Sequence, residues 1–288
     1  MIRKILIVYK KSSYQEHALD KKDGNFLRLL RERNLAIKKS KNTHDVHMDT
    51  LETVKMRLRE LKIPFDIRLR YTLSPIRGYD LVITIGGDGT FLETSHYLET
   101  GVILGVNSVP RESIGYFCKA NSENFLEKIY LYLDGRAPMQ TLHRLEMVID
   151  GKKELPLALN DILFTNQSPA GTTRYLLKIG KNQEEQKSSG LWISPAPGST
   201  AAIHSAGGKK LPLGSDKFQY IIREPYAPPG RIYQLVHGIL NPRQKVEILS
   251  MMDDASLFVD GHHRVRPIKR GSQIIIQHAA NPIQAIWG

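Results

Sequence analysis

The segment that most constrains this chain is Gly86-Gly87-Asp88-Gly89-Thr90, because it joins an apolar run to a helix start signal. The run, Leu81-Val82-Ile83-Thr84-Ile85, has the continuous apolar character of a buried strand in a parallel sheet. Thr90 and Glu93 have the spacing of a capping box, which predicts that a helix begins at Thr90. A second apolar run, Val102-Ile103-Leu104-Gly105-Val106, predicts another buried strand. Together these features predict a strand-turn-helix-strand unit with a right-handed crossover.

The turn in this unit has the composition of a phosphate-handling site. Turns of such units lie at the carboxyl ends of the strands, where ligands of open parallel sheets bind and glycine amides approach phosphate oxygens closely. Asp88 is the unusual member, because a carboxylate repels a polyanion. Its presence is explained if it accepts a proton from an attacking hydroxyl or meets the phosphate through a cation. The alternative is a tight Asp-Gly turn without chemistry.

The charge balance predicts a surface that attracts anions. Lys and Arg number 41 and Asp and Glu 29, a formal net charge of +12. Nucleotides, polyphosphate, nucleic acid and acidic lipid all fit this charge. The basic clusters are not interleaved with aromatic residues as a base-stacking platform would be, so nucleic acid is not an expected partner.

Several classes of protein are excluded by the apolar runs and the cysteine count. No run approaches the ~20 residues that cross a bilayer, so no membrane partner is expected. The amino end, residues 1–9, is too short in its apolar part for a secretory signal and predicts a first buried strand, which favours a cytoplasmic location.

The single cysteine, Cys118, is expected to be a small buried apolar residue. His44 and His47 lack further ligands, so we expect solvated histidines and no metal site built by protein side chains alone.

The order of predicted elements indicates two domains. The first half alternates strand-like and helix-like segments, which predicts an α/β domain with a mostly parallel sheet over residues 1–136. The second half has short β-branched and apolar segments separated by turn signals, with few helical periods. It predicts a mainly antiparallel, sandwich-like β domain over residues 137–288. The boundary is placed at Arg136-Ala137-Pro138.

Four spaced motifs resemble those of the NAD kinases: Gly86-Gly87-Asp88-Gly89-Thr90, Leu104-Gly105-Val106-Asn107, Asn160-Asp161 and Gly198-Ser199-Thr200-Ala201. The stretch Gln186 to Leu191 is most similar to the mitochondrial-type branch of that family. The resemblance covers about Leu81 to Gly261. It implies transfer of a terminal phosphoryl group, from ATP or polyphosphate, to the adenosine ribose 2′-hydroxyl of NAD to make NADP. It also implies Mg²⁺ carried with the nucleotide phosphates and a homo-oligomer, either a dimer or a tetramer.

The resemblance also implies roles for single residues. Asp88 is the implied catalytic residue, which accepts or orients the proton of the attacking hydroxyl, and the implied phosphate-binding residues are Gly86, Gly87, Gly89 and Thr90. Residues 137–288 become the NAD-binding domain. The implied NAD-binding residues are Asn107, Asn160, Asp161, Lys187, Ser189, Gly198, Ser199, Thr200 and Ala201. Among them, Asn160-Asp161 binds substrate amide and ribose groups, while Asn107, Thr200 and Ala201 lie near the adenine.

The sequence departs from the family pattern at two places, and several alternatives stay open. Ser194 to Ala202 lacks two usual threonines and a usual tyrosine, and also has the composition of a Pro-stiffened surface loop. Lys187 and Ser189 stand where bacterial relatives often have Arg and Asp, so donor preference or a subunit contact is open there. Asn107 also fits a strand-end turn, and Val259-Asp260-Gly261 favours a hairpin. The rival functions are a lipid or sugar kinase that shares the glycine-rich turn, a non-catalytic NAD or nucleotide sensor, and a basic nucleic-acid scaffold. The donor, ATP or polyphosphate, and the acceptor, NAD or NADH, are also open.

Overall fold

The computed structural model describes residues 4–230 and 232–288, which fall into two units. The first unit runs to Gln140 and includes Ile283–Gly288, and the second is Thr141–Pro282. The predicted boundary after residue 136 lies a few residues before this division. Residues 283–288, which the sequence analysis assigned to the second domain, lie in the first unit because a strand at Ile283–Ile286 pairs with Val102–Asn107. Residues 1–3 of the predicted first strand lie outside the described residues.

The first sheet and its helices alternate along the chain, as the sequence predicts. The strands are β1 (Ile5–Tyr9), β2 (Phe65–Leu69), β3 (Leu81–Gly86), β4 (Val102–Asn107) and β5 (Met139–Leu142). The helices are α1 (Gly24–Arg31), α2 (Ser40–Glu60), α3 (Asp88–Ser95) and α4 (Phe125–Leu133). A π-helical turn at Gln15–Asp20 follows β1, and a 3-10 turn at Arg70–Thr72 follows β2.

The second unit consists almost entirely of strands. They are β6 (Leu145–Ile149), β7 (Lys152–Ala158), β8 (Ile162–Asn166), β9 (Thr173–Ile179), β10 (Asn182–Ser188), β11 (Gly190–Pro195), β12 (Phe218–Arg223), β13 (His237–Leu240), β14 (Lys245–Ser250), β15 (Ala255–Val259), β16 (Val265–Ile268) and β17 (Gln273–His278). A 3-10 turn at Pro197–Thr200 leads into the short helix α5 (Ala202–Ser205). After this unit, β18 (Ile283–Ile286) closes the chain.

The first sheet has the strand order β2-β1-β3-β4-β18-β5, and the pairs β2-β1, β1-β3, β3-β4 and β4-β18 are parallel. Strands β1 and β3 are almost wholly buried, and their residues Ile5, Ile7 and Ile83 pack with side chains of α2 and α4 in one apolar cluster. The chain leaves β1 for β2 on one side and then returns to β3 on the other. Open sheets bind ligands outside the carboxyl ends of the strands at such a reversal, which here lies between β1 and β3.

The second unit is a sandwich of two antiparallel sheets. Their strand orders are β10-β9-β14-β17-β6-β7 and β13-β12-β11-β8-β15-β16. Alternate residues of β9 and β14 are buried, as expected for strands with one face on a core. Side chains from both sheets, including Phe164, Tyr175 and Leu257, form one apolar cluster. The predicted fold class, an α/β domain followed by a mainly antiparallel β domain, is therefore confirmed.

The longest described helix, α2, packs against the first sheet through the apolar stripe Leu51, Val54 and Leu58. These three side chains lie at helical spacing and are at most 4% exposed. None of the helices that the structure describes is long and apolar enough to cross a membrane.

A Gly105→Ala substitution should destabilise the first unit. A Cβ at residue 105 of β4 would lie 2.6 Å from the carbonyl oxygen of Phe117 and 2.8 Å from the Cα of Cys118, and both atoms belong to backbone. We expect the free energy of unfolding to fall by about 1–3 kcal/mol, the usual cost of overpacking. Urea unfolding measures this change. The matched control is Gly24→Ala in the first turn of α1, where a Cβ meets no atom within 4 Å, and equal stability of the two variants would contradict the prediction.

Candidate functional site

The glycine-rich turn connects β3 directly to α3. Gly87 is the N-cap of α3, and the helix begins at Asp88. The prediction that a capping box starts the helix at Thr90 is therefore wrong, because Gly87 provides the cap without a side chain. The Thr90 hydroxyl lies instead against Gly86, where it is buried and has no hydrogen-bond partner among the described residues. Glu93 faces His96, with 3.8 Å between its Oε2 and the His96 Nδ1.

The carboxylate of Asp88 is held by two backbone amides. The Tyr116 amide donates to Oδ2 at 2.9 Å, and the Phe117 amide donates to Oδ1 at 2.7 Å. Both amides belong to the loop that follows β4, and Gly115 begins their turn with a left-handed φ of +60°. Two fixed donors hold the carboxylate in one orientation at the first turn of α3. Sequence reasoning missed Tyr116 and Phe117, because an amide donor leaves no signature in side-chain type.

Asn107 holds the loop that carries those amides. Its Oδ1 accepts from the Val109 amide at 3.1 Å, and its Nδ2 donates to the Ser113 carbonyl at 3.0 Å. The residue ends β4 and is 6% exposed. These bonds are those of a strand-end turn, the alternative that the sequence left open. One Nδ2 hydrogen and one Oδ1 lone pair remain for other contacts.

His47 connects α2 to the carboxyl ends of two strands. Its Nε2 donates to the Lys10 carbonyl at 2.9 Å, so its Nδ1 accepts from the Ser108 hydroxyl at 2.8 Å when the ring is neutral. Burial lowers the pKa of His47, which favours the neutral ring. The expectation that His47 is solvated is wrong, since only 1% of the residue is exposed. The ring therefore joins α2 to the residues that follow β1 and β4, the two strands on either side of β3.

Cys118 is buried beside Gly105, as predicted. Burial and, to a smaller extent, the charge of Asp88 raise the pKa of its thiol to about 12. A thiol with so high a pKa is unreactive at neutral pH, because the thiolate is the reactive form.

In the second unit, Asn160 and Asp161 form a turn between β7 and β8. The carboxylate of Asp260 accepts from three successive amides of this turn, those of Leu159, Asn160 and Asp161, at 2.9, 2.7 and 3.0 Å. In return, the Asp260 amide donates to the Asp161 carbonyl at 2.9 Å. Asp260 adopts a left-handed φ of +50° at the end of β15. Val259-Asp260-Gly261 therefore does enter a hairpin, from β15 to β16, and its carboxylate also anchors the candidate substrate turn.

The side chain of Asp161 lies near the Asp260 carboxylate. Its Oδ2 accepts from the Asn160 amide group at 2.9 Å, and the residue is 4% exposed. Burial, followed by the nearby charge of Asp260, raises the pKa of the Asp161 carboxyl to about 7. A titratable group with so perturbed a pKa is a functional-site candidate, because such groups concentrate where chemistry or binding occurs.

The loop of Gly198 packs directly against the same turn. A Cβ at residue 198 would overlap the carbonyl oxygen of Asn160, so only glycine fits this position. The Ser194 hydroxyl donates to that same carbonyl at 2.7 Å. Ser199 is buried, and its hydroxyl accepts from the Leu211 amide at 3.0 Å. The 3-10 turn ends at Thr200, and Ala201 precedes α5.

Lys187 and Ser189 lie elsewhere in the second unit. The described hydrogen bonds of Lys187 are made by its backbone to Tyr226 and Tyr233, and those of Ser189 by its backbone to Thr165 and Arg223. Within residues 4–230 and 232–288, none of these bonds joins them to the turn at Asn160. The structure therefore brings Asn160, Asp161 and Gly198 together, and it does not group Lys187 and Ser189 with them.

Comparisons with known proteins support one family. No protein-family model matches the chain. The chain is 33% identical over 264 residues to the probable NADH kinase of Oryza sativa subsp. japonica, with 84% of this chain and 81% of that protein covered. It is 34% identical over 259 residues to the NADH kinase of Arabidopsis thaliana, covering 82% and 81%. It is 30% identical over 205 residues to the NAD kinase of Methanospirillum hungatei, covering 70% and 72%.

Two solved structures share the fold. A crystal structure of an NAD kinase from Archaeoglobus fulgidus in complex with ATP matches with a TM-score of 0.70 and 19% identity, over 98% of this chain and 93% of that one. A crystal structure of yeast NADH kinase complexed with NADH matches with a TM-score of 0.69 and 16% identity, over 100% and 84%.

The Asp260 anchor makes a testable prediction for stability. Asp260→Ala leaves three backbone amides without their acceptor, and we expect the free energy of unfolding to fall by about 2–4 kcal/mol. The matched control is Asp253→Ala, which removes an exposed carboxylate paired with Arg270 and should change stability by less than about 1 kcal/mol. Urea unfolding of both variants measures the difference. Equal losses would mean that the amides find other acceptors.

The buried carboxyl of Asp161 should make stability depend on pH. Folding raises its pKa from 3.8 to about 7, so the stabilisation is complete below 3.8 and is lost as pH rises through about 7. We expect the free energy of unfolding of the wild type, minus that of Asp161→Asn, to decline over this range and to level off above about pH 8. Urea unfolding at a series of pH values measures the difference. A difference that stays constant would show that Asp161 titrates at its ordinary pKa.

Proposed function

The chain belongs to the NAD kinase family, and from that membership we propose that it transfers the terminal phosphoryl group of ATP to the adenosine ribose 2′-hydroxyl of NAD, producing NADP. The observation that carries this proposal is the carboxylate of Asp88, oriented by two amides beside the glycine-rich turn. A bond forms between the 2′-oxygen and the terminal phosphorus, and the bond from that phosphorus to its bridging oxygen breaks. ADP leaves with the electron pair, and Asp88 takes the hydroxyl proton.

Asp88 is suited to this role by its geometry. Each carboxylate oxygen accepts one amide hydrogen bond, so each keeps a lone pair for the hydrogen of a substrate hydroxyl. A carboxylate that is already fixed needs no reorganisation when the reaction occurs. A positioned general base of this kind raises the rate by about 10²- to 10⁴-fold, and its removal lowers the rate by the same factor.

The phosphate-binding role belongs first to the backbone of Gly86, Gly87 and Gly89. The amides of Gly87 and Gly89 lie at the first turn of α3, where an amide has no acceptor within the helix and the helix dipole favours an anion. The Thr90 hydroxyl is buried against Gly86, so it reaches a phosphate only after its side chain rotates. The main-chain amides therefore take the larger part of the proposed contact.

We propose that Mg²⁺ binds at this site together with the donor phosphates and not through protein side chains alone. Among the described residues, no group of three or more His, Cys, Asp or Glu side chains could hold a metal ion by itself. Mg²⁺ commonly binds through substrate phosphates and one or two carboxylates, and Asp88 is the carboxylate at this turn. The ion would supply charge neutralisation on the donor.

The turn at Asn160 in the second unit is the first candidate for the NAD-binding role. Asn160 and Asp161 are proposed to contact the amide and ribose groups, and their fixed turn supports that role because it is held by Asp260. Gly198 acts through its lack of a side chain, which permits the contact with Asn160. The residues whose assignments rest on family resemblance alone are Asn107, Lys187, Ser189, Ser199, Thr200 and Ala201.

The relatives support proposals for the phosphoryl acceptor and the phosphoryl donor. The two plant relatives are named NADH kinases, so NADH is proposed as a second acceptor beside NAD. A neighbouring fold was solved with ATP, which supports ATP over polyphosphate as the donor. The predicted homo-oligomer stays a prediction, which light scattering of the purified protein measures.

The test of the proposed function is Asp88→Asn. Purified wild-type protein with ATP and Mg²⁺ should form NADP from NAD, and the variant should lose about 10²- to 10⁴-fold in kcat, the usual contribution of a general base. The amide group of Asn turns one N–H towards a backbone N–H, so we also expect a stability loss of about 1–3 kcal/mol without loss of the fold. Circular dichroism checks that the variant is folded. The matched control is Asp134→Asn, an exposed carboxylate after α4, which should keep full activity.

Different outcomes separate the rivals. Faster phosphorylation of a lipid or a sugar than of NAD or NADH would select the rival kinase. Calorimetric binding of NAD without turnover by any of the donors ATP, polyphosphate and other nucleoside triphosphates would select a sensor. Undiminished kcat in a folded Asp88→Asn variant would remove Asp88 from the chemistry.

A further inference from the structure

Two cations follow the ends of adjacent strands at the reversal point of the first sheet. Lys10 comes directly after β1, and Arg70 comes directly after β2. In the parallel register, Tyr9 lies opposite Leu69 on one side and Ile85 on the other. When this register is extended by one residue along each strand, Lys10 lies between Arg70 and Gly86. Lys10 thus lies beside Gly86, the first position of the glycine-rich turn, and Arg70 lies one strand further from it.

Neither cation has an acidic partner within residues 4–230 and 232–288. No hydrogen bond or ion pair joins the Lys10 ammonium to any of the described residues, although the residue is half-buried. The neighbouring Lys11 differs, since its ammonium pairs with Asp20 at 2.6 Å. Burial, and after it the charge of Arg70, lowers the pKa of Lys10.

Arg70 is similarly unsatisfied. Its Nη2 donates to the Tyr71 hydroxyl, and its guanidinium stacks 4.5 Å from the Tyr71 ring centre. Its Nε is buried and has no partner within the described part of the chain. Its Nη1 lies 3.6 Å from the position that a Cβ of Gly89 would occupy. The guanidinium is therefore fixed beside the glycine-rich turn with donors to spare.

Uncompensated charge of this kind destabilises a protein unless an anion binds to it. Asp88, the acidic residue of the turn, uses both oxygens for the amides of Tyr116 and Phe117 and makes no ion pair among the described residues. A condensed phosphate chain carries several negative oxygens over a few ångströms. A planar guanidinium and a compact ammonium are the two side-chain groups that bind such oxygens most directly.

We propose that Lys10 and Arg70 bind the phosphate chain of the donor at the carboxyl ends of β1 and β2, and neutralise the charge that develops on it as the terminal phosphoryl group leaves. This inference rests on the proposed function for the identity of the donor. The anion site itself rests on the strand register, the unpaired charges and the contact with Gly89. ATP and inorganic polyphosphate share the required chemistry, and NAD, with a single diphosphate, offers less charge.

Binding without turnover tests the site. Inorganic tripolyphosphate and ATP are titrated calorimetrically into the wild type, Lys10→Met, Arg70→Gln and the control Lys11→Met. We expect each of the first two variants to lose about tenfold or more in affinity for both anions, and the control to stay within about twofold. Affinity of the wild type should fall with added salt more steeply than that of Lys10→Met, since fewer charges are neutralised in the variant. Unchanged tripolyphosphate affinity in Lys10→Met and Arg70→Gln would overturn the proposal.

Stability and rescue exclude a merely structural role. Removal of one of two like charges should leave the thermal midpoint without ligand unchanged or higher, whereas loss of a structural residue would lower it. Lys10→Arg keeps the charge and should recover most of the tripolyphosphate affinity. A Lys10→Met variant that binds weakly and is also much less stable, without rescue by Lys10→Arg, would also count against the site.

Steady-state kinetics separate this inference from the proposed function. If the wild type makes NADP, Lys10→Met and Arg70→Gln should raise KM for ATP and lower kcat, because the developing charge loses a cation, while KM for NAD stays unchanged. A rise confined to KM for NAD would assign the cations to the acceptor and overturn the proposal. If the wild type makes no NADP, the proposed function fails, but loss of tripolyphosphate binding in the variants would still establish the anion site.

Discussion

Backbone amides hold the two carboxylates, those of Asp88 and Asp260, around which the candidate-site loops of this protein are fixed. Asp88 accepts from the amides of Tyr116 and Phe117, and Asp260 accepts from the amides of three successive residues at the Asn160 turn. Hydrogen bonds to a charged acceptor are stronger and shorter than neutral ones, so each carboxylate fixes a stretch of loop. The close approach of backbone that this needs is made possible by Gly105 in the first unit and by Gly198 in the second.

The use of amides around Asp88 has an electrostatic consequence. A carboxylate that is already satisfied by backbone donors does not need Lys10 or Arg70 as ion-pair partners. In the part of the chain that the structure describes, those two side chains remain half-buried, without an ion-pair partner and close to the glycine-rich turn. On the proposed roles, the carboxylate for the reaction and the cations for the anion are thus separate groups. That separation suits phosphoryl transfer, where positioning and charge neutralisation dominate.

Sequence reasoning located the strand before the glycine-rich turn and the fold class of both halves. A continuous apolar run indicates a strand that is buried on both faces, and an alternating run indicates a strand that is buried on one face. The two patterns therefore distinguish the parallel sheet from the antiparallel ones. Sequence reasoning failed at the start of α3, where the Thr90 and Glu93 pattern suggested a capping box and Gly87 caps the helix instead. It also failed for His47, whose partners are a carbonyl and a hydroxyl from distant segments. Lys10 and Arg70 were within reach of sequence reasoning, since each directly follows a strand-like run.

The sequence by itself determined that a carboxylate stands at a strand-to-helix turn, because apolar periodicity and glycine chemistry are local properties of the chain. Only the tertiary structure decided what that carboxylate touches, which strand completes the first sheet, and which carboxylate anchors the Asn160 turn. The amides of Tyr116 and Phe117 lie 28 and 29 residues from Asp88, and Asp260 lies about 100 residues from the turn it holds. Contacts of this kind depend on main-chain atoms that every residue type possesses. Their partners are therefore set by the path of the folded backbone and not by residue identity.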